Sequence, residues 1–511
     1  MNSKKVLAGF SSLMLALSPM SVYAYNSVVA TNADGTTSYT DYNRAWDAAQ
    51  NGVEIIMKSD WDLSDRLILS NGHEAKINMN GHAIKRSLDS GIDDGEVIYV
   101  DENASLTLAG NEEDSTFKIK YYNEDQDLDF KSGGIVMGGY STSGAGGIVM
   151  KKGSTLTLND VDIVNNRAAD GDGGGIGIDG DDCTINLNNN SRICYNQATD
   201  EGGGIYVDGE SAYINVDASE ISSNVAAYGG GIESNDDATR ITLDNNSTIS
   251  NNQANVDGGG VYFYEPYGLI KSNDKTGKIS SNFAGIYNYQ PKGGGVYFES
   301  DAFQSNTAAI ENITFEDNSV NINQYGMGGA IYANLNNVEI TNCTFKNNKA
   351  YNGGALYCNS TMYLSDCQIK ENHANSNGGG VYVDSGYDLH VSGKMSINDN
   401  TKEHKQKSNV YLESGTFSNA YISGTPEDGS KIYVQGDSDT IAIDQTSDNG
   451  TILLEDADSY HTTYEDGELL KKEGATGSIF GNGNTLIAGC VMLGIIIIGV
   501  GTLFIYKKKE S

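Results

Sequence analysis

Residues 191–207 read SRICYNQATDEGGGIYV. Two marks stand in this stretch. Ile193 is followed three positions later by Asn196, and Gly202, Gly203 and Gly204 open the run Ile205-Tyr206-Val207. The first mark occurs nine times, at Ile163/Asn166, Ile193/Asn196, Ile221/Asn224, Ile249/Asn252, Ile279/Asn282, Phe315/Asn318, Phe345/Asn348, Ile369/Asn372 and Ile397/Asn400. Successive asparagines are 24 to 36 residues apart. A recurrence of that length predicts a solenoid, in which each repeat is one coil that buries its apolar face only against its neighbours.

The coil can be read strand by strand. Glycine permits a tight bend because it has no Cβ. After it, Ile205 and Val207 point to one side and Tyr206 to the other, since strand side chains alternate. Equivalent strands begin at Gly173, Gly229, Gly258, Gly293, Gly328, Gly353 and Gly378. A second strand alternates apolar and polar residues, as in Ser154-Thr155-Leu156-Thr157-Leu158 and Arg240-Ile241-Thr242-Leu243. A third carries the apolar-x-x-Asn mark. Two positions before its apolar residue stand Val161, Ser191, Ser219, Ser247, Gly277, Ile313, Cys343, Cys367 and Met395, all small or apolar, as an inward column demands. The tightest units allow three short strands and three turns. Longer ones, such as Gly258 to Gly293, need a loop that projects outward. Asparagine suits a left-handed turn, and identical amides stacked coil on coil can bond into a ladder. The nine asparagines are therefore assigned to the scaffold. Parallel strands cannot be joined by two-residue hairpins; winding satisfies that, with a right-handed sense expected. The expected fold is all-β, a right-handed parallel β-helix with an N-terminal cap and one C-terminal transmembrane helix.

Phe315-Glu316-Asp317-Asn318 with Gly328-Gly329-Ala330-Ile331, and Phe345-Lys346-Asn347-Asn348 with Gly353-Gly354-Ala355-Leu356, resemble the paired FxxN and GGA[IL] repeats of chlamydial polymorphic membrane proteins. More broadly the chain is similar to pectate-lyase-like right-handed β-helix proteins of bacterial surfaces. The resemblance covers roughly residues 97 to 412. It implies a surface adhesin. Those relatives end in an autotransporter barrel, where this chain has a membrane helix, and that departure favours a Gram-positive envelope.

The ends carry the address. Lys4 and Lys5 precede an apolar run over 6–17, and Ser21-Val22-Tyr23-Ala24 closes it. This is the pattern of a secretory signal peptide. Residues 486–506 carry no charge and are long enough to span a bilayer. Lys507, Lys508 and Lys509 follow, and basic residues stay on the cytoplasmic side. The expected plan is a signal peptide (1–24), an N-terminal cap (25–96) with a helix over 42–50, the β-helix repeats (97–424), an acidic terminal cap and stalk (425–485), the membrane helix (486–506) and a cytoplasmic tail (507–511). An acidic insertion between 111 and 147 reads as a loop on one side. Localisation is expected to be the cell membrane, single-pass, with the ectodomain outside.

The chain has 68 acidic and 33 basic residues, a net charge of −35. That repels phosphate backbones, so nucleic acid is not an expected partner. Anionic polymers need a local patch or a cation. Of six cysteines, Cys343 and Cys367 should stack in neighbouring coils, either as buried thiols or within disulfide reach.

Tyr206, Tyr262, Tyr297, Tyr332, Tyr357, Tyr382 and Tyr411 all hold the outward position of the glycine strand, while Gly177 and Glu233 interrupt the series. A stripe of phenol rings about 4.8 Å apart suits sugar or protein contacts, and equally a stacked structural ladder. Gly180-Asp181-Asp182-Cys183 matches, by letters, a carboxylate pair of polygalacturonases. The histidine and Arg-x-Lys partners of such an active site do not follow it, so no catalytic residue is assigned. Asp170-Gly171-Asp172 and Asp179-Gly180-Asp181-Asp182 offer oxygen ligands to Ca2+; otherwise no cofactor is expected. The expected function is a membrane-anchored adhesin or binding module for an extracellular glycan or protein ligand. The alternatives are a polysaccharide lyase or hydrolase and a passive envelope spacer.

Overall fold

The computed structural model describes residues 27 to 473, less short stretches at 112–113, 121–126, 236–237, 265–266, 301–306, 415–420 and 428–429 and several between 437 and 467. The expected signal peptide, the membrane helix with Cys490 and the tail lie outside the described residues. Among the described residues no helix is long and apolar enough to cross a membrane.

The repeats form long stacks of parallel strands, the arrangement of a parallel β-helix. One coil runs through Ile205–Asp208, Tyr213–Asp217, Glu220–Ser222 and Val225–Tyr228. Each strand pairs in parallel with its counterpart one coil on, with Ile205 opposite Ile232, Ile214 opposite Ile241 and Ile221 opposite Ile249. We call these stacks the glycine, alternating, asparagine and corner sheets. The corner sheet was not anticipated; three strands per coil were expected. Its strands are mostly two residues long, directly after the asparagine. They bury a column of Ala168, Ala198, Ala226, Ala254, Ala284, Val320, Ala350 and Ala374. Two residues are too short to show alternation, and alanine has little strand preference, so the pattern carries no signal.

The core is filled by like side chains stacked on like. Phe263 lies on Phe298 with ring centroids 5.3 Å apart, and Phe315 on Phe345 at 4.9 Å. The asparagines run through it as one continuous ladder. In each step Nδ2 donates to Oδ1 of the next asparagine, from Asn166 to Asn196 (3.1 Å) through to Asn372 to Asn400 (2.9 Å). Asn252, in mid-ladder, shows a whole rung. Its Oδ1 accepts the Asn224 N–H and Asn224 Nδ2, both at 3.0 Å. Its Nδ2 donates to Ile221 O (2.9 Å) and to Asn282 Oδ1 (3.1 Å). Asn409 extends the series by one. All nine of the expected asparagines are buried.

One detail of the ladder is corrected. The left-handed residue is not the ladder asparagine, as expected of Asn166, Asn252 and their equivalents, but the one before it. Asn165, Tyr195, Ser223, Asn251, Ser281, Asp317, Asn347, Glu371 and Asp399 all have φ of 56–59°. So it is Asn251, not Asn252, that takes the turn. That turn swings the following asparagine side chain inward, and the turn position itself tolerates any polar residue. The glycines then lock onto the ladder. Gly202 has φ +59°, and a Cβ on Gly204 would come within 2.9 Å of Asn224 Nδ2. A Cβ on Gly231 would meet Asn252 Nδ2 at the same distance. The two sequence marks are thus halves of one packed device.

The helix Tyr42–Gln50 forms where the sequence placed it, capped by Asp41, and buries Ala45, Trp46 and Ala49 against the core. The acidic insertion is not a loop but an antiparallel hairpin, Ser115–Lys120 with Asp127–Ser132. Ile119 and Phe130 pack on Val164 and Cys194, outside the asparagine sheet. The five described cysteines are free and buried. Cys343 Sγ lies 3.4 Å from the Ile313 backbone nitrogen, the place that Ser191 Oγ takes against Val161 N–H at 3.1 Å. Small polarizable side chains at this column therefore accept from the preceding coil, and no disulfide is needed.

Candidate ligand-binding surface

The tyrosine column exists, in register. Tyr262 is opposite Tyr297, then Tyr332, Tyr357, Tyr382 and Tyr411 follow. Successive ring centroids are 4.7–5.2 Å apart. It is not, however, a surface. These six residues are at most 7% exposed, and Tyr206 is half-buried. Alternation sends the rings away from the core, but the loop arriving from the corner sheet folds back over them. Met327 packs on the column, and Lys292 Nζ sits 5.1 and 5.3 Å from the ring centroids of Tyr297 and Tyr332. The hydroxyls are also engaged. Tyr262 donates to Glu299 (2.5 Å) and Tyr357 to Asp384 (3.0 Å), while Tyr206 accepts from Asn235 (3.1 Å). Burial pushes the hydroxyl pKa of all six but Tyr411 well up, along with that of Tyr206. The expected binding stripe is corrected to an internal stack, worth its packing.

Exposed tyrosines lie one layer further out, on the corner loops. Tyr287 is 82% exposed, Tyr289 64% and Tyr325 43%, with Ile286 beside them. Tyr289 contacts Tyr325 at 5.3 Å between centroids, and Tyr325 contacts Tyr351 at 4.8 Å. Three successive coils thus present a ledge of tilted rings. The backbone beneath is pinned: Asn321 N–H donates to Ala284 O (3.0 Å), Gln290 N–H to Gln324 O (2.6 Å) and Tyr351 N–H to Gly326 O (2.8 Å). Burying Tyr289 and Tyr325 against a partner needs little ordering, because their rings already hold one another and the loop beneath is fixed. The sequence signal was present. The interval from Asn282 to Asn318 is the longest in the series, and it holds Ile286-Tyr287-Asn288-Tyr289.

The acidic turn at 179–182 is already occupied. Asp181 accepts from Lys152 Nζ (2.6 Å) and from the Glu210 N–H (3.1 Å), which holds its carboxyl below the usual range; Asp179 pairs with Lys151. Asp182 sits in a left-handed turn. Asp172 is half-buried beside Asp200, and its pKa is pushed up to about 6 by burial first and that charge second. Among the described residues, no three of His, Cys, Asp or Glu gather as a metal-holding group.

Residues 312–334 and 342–359 match the Chlamydia polymorphic membrane protein repeat. The match spans coils whose FxxN asparagines belong to the ladder, and in which Ala330 and Ala355 stand where Gly204 stands in its own coil. No curated protein matches the chain.

Proposed function

We propose that this protein is a cell-surface binding module. It acts without catalysis and holds an extracellular glycan or protein ligand on the tyrosine ledge of Tyr287, Tyr289 and Tyr325. The observation that carries this reading is an exposed, pre-ordered aromatic ledge on a rigid solenoid. The repeat match supports a surface membrane protein, since that repeat belongs to membrane proteins. It gives no support to the Gram-positive envelope that the sequence suggested. The reading includes export by the leader and anchoring through 486–506, with the solenoid outside. Flat amphipathic rings bury apolar area while leaving hydroxyls to hydrogen-bond, which suits sugar rings and protein side chains alike.

Glycan and matrix-protein arrays probed with the full chain test it. Binding should appear, and Tyr289→Ala with Tyr325→Ala should weaken it at least about tenfold, in line with the loss of two interface aromatics, with an unchanged melting temperature. Release of soluble products from any bound polymer would show an enzyme instead. Binding that survives the double variant would place the site elsewhere.

A further inference from the structure

A second surface differs in chemistry from the ledge and lies at another corner of the coil. One outward column of the asparagine sheet, the floor of this surface, runs Lys278, Thr314, Thr344, Gln368, Ser396 and Lys431, in register one per coil. The turns arriving from the alternating sheet form its wall. At the N-terminal end the hairpin closes it, with Arg192 over Phe130 and paired to Asp162. At the C-terminal end it opens into a groove of about 830 Å3, whose lining includes Lys275, Lys394, Lys431, Asp366, Asn342 and Gln368.

The charge there runs against the rest of the molecule. In a chain of net charge −35, this groove brings together three exposed lysines, Lys275, Lys394 and Lys431, and one carboxylate. None of the three has an ion-pair partner among the described residues. Asp366 accepts the Lys394 N–H (2.8 Å) and Ser365 Oγ (3.2 Å) as a turn cap, and its charge still counts against the three lysines, which outnumber it by two. Neighbouring Asp274 is likewise engaged by the Asn245 and Thr276 N–H groups, at 2.7 and 3.0 Å. Lys394 and Lys431 lie in successive coils and Lys275 several coils away, so the ammonium groups are strung along the solenoid axis at multiples of about 4.8 Å.

We infer that this groove binds a linear anionic polysaccharide, one bearing spaced carboxylates or sulfates, laid along the axis. Lysines supply point charges, and the hydroxyl and amide floor supplies hydrogen bonds to sugar hydroxyls. Among the described residues the floor has no aromatic on which nucleic-acid bases could stack. Nor does it offer an apolar pocket for a peptide side chain. The surrounding negative field rejects densely charged polymers and leaves the local patch to a sparsely charged one. The groove would act in this way whether or not the tyrosine ledge binds anything.

The full chain is tested against hyaluronan as the carboxylate probe and chondroitin sulfate as the sulfate probe. Dextran is the neutral control and duplex DNA the dense polyanion. At least one acidic glycan should bind, and the binding should weaken about tenfold or more as salt shortens the Debye length. Lys394→Glu with Lys431→Glu should cost at least tenfold in affinity. The same charge change at Lys58 and Lys76, on the N-terminal cap, should cost less than threefold, and circular dichroism should show every variant folded. The inference is overturned if neither acidic glycan binds above dextran, if the cap variant loses as much as the groove variant, or if DNA binds as well. Loss in Tyr289→Ala with Tyr325→Ala and not in the lysine variant would assign the acidic glycan to the ledge, overturning this inference and leaving the first reading standing.

Discussion

Asn318→Ala is expected to destabilise the solenoid by about 4 kcal/mol. The side chain makes four buried hydrogen bonds. It accepts from the Asn282 N–H (3.1 Å) and Asn282 Nδ2 (3.0 Å), and donates to Ile279 O (2.8 Å) and Asn348 Oδ1 (3.1 Å). Alanine cannot replace any of them. Water cannot reach a site of 0% exposure. Each buried group left unpaired costs about 1–3 kcal/mol, and the Asn282 N–H and the Ile279 carbonyl both lose this partner. In a solenoid each coil contacts only its neighbours, so the damage stays local at first and uncouples the coils on either side. Hydrogen exchange should therefore show lost protection at Asn282 and Asn318 before distant coils such as that of Asn166 respond. A lowered denaturant midpoint should accompany it. Asn323→Ala, an exposed asparagine in the nearby corner loop, serves as the control and should leave both unchanged. Equal protection in the two variants would mean that the ladder is decoration.

Glu233→Met is expected to stabilise the protein, by about 3 kcal/mol at pH 7 and more at higher pH. Glu233 takes the place of a tyrosine in the internal column, opposite Tyr206 and Tyr262. It is fully buried, and neither carboxylate oxygen has a hydrogen-bond partner. The nearby Gly202 N–H donates to the Tyr228 carbonyl. Burial first, then the charges of Glu201, Asp172 and Asp200, push its pKa up to about 10. The folded chain therefore keeps the proton where the unfolded chain, titrating near 4.5, has released it. The unfolded state binds fewer protons across this window, so stability falls as pH rises from about 4.5 toward 10. At about 1.4 kcal/mol per pH unit this amounts to about 3 kcal/mol by pH 7. Methionine removes the titration and keeps an unbranched side chain of similar length. Glu233→Gln should abolish the same pH dependence with a smaller gain, because a buried amide still lacks partners. The measurement is the denaturant midpoint from pH 4.5 to 9 for the three proteins. A wild-type profile as flat as that of the variants would contradict this account of the site.

The coil was legible because each of its demands fixes a residue type at a fixed interval. A buried amide ladder needs Asn318 and its equivalents, and the left-handed turn into each glycine strand needs Gly202 and its equivalents, such as Gly328 and Gly353. Which residue of each turn is left-handed was not legible, because asparagine adopts that conformation more readily than residues such as Tyr195 or Glu371, which take it here. Strand alternation also placed Tyr332 correctly with respect to the core. It could not say what lies on the other side, since alternation reports one strand and the cover comes from a loop in the same coil that has no period. The same limit hid the ledge. Tyr289 and Tyr325 each lie seven residues after their ladder asparagines Asn282 and Asn318, but Tyr351 lies three after Asn348 and the other coils have no counterpart, so only stacking of the coils brings the three together. Lys394 and Lys431 were concealed differently, because a net charge averages away a local patch of opposite sign. The pairing of Ser115–Lys120 with Asp127–Ser132 was hidden because charged residues stand between the apolar positions of both strands and read as loop.

The tyrosines fall into two classes, an internal stack and an exposed ledge, and the second is the surface that we propose binds the ligand. Tyrosine-selective labelling of the folded protein, read residue by residue by mass spectrometry, tests this most directly. Tyr287, Tyr289 and Tyr325 should be modified rapidly, while Tyr297, Tyr332, Tyr357 and Tyr382 stay protected until the chain unfolds. Rapid labelling of the column residues, with Tyr289 and Tyr325 protected, would contradict the account.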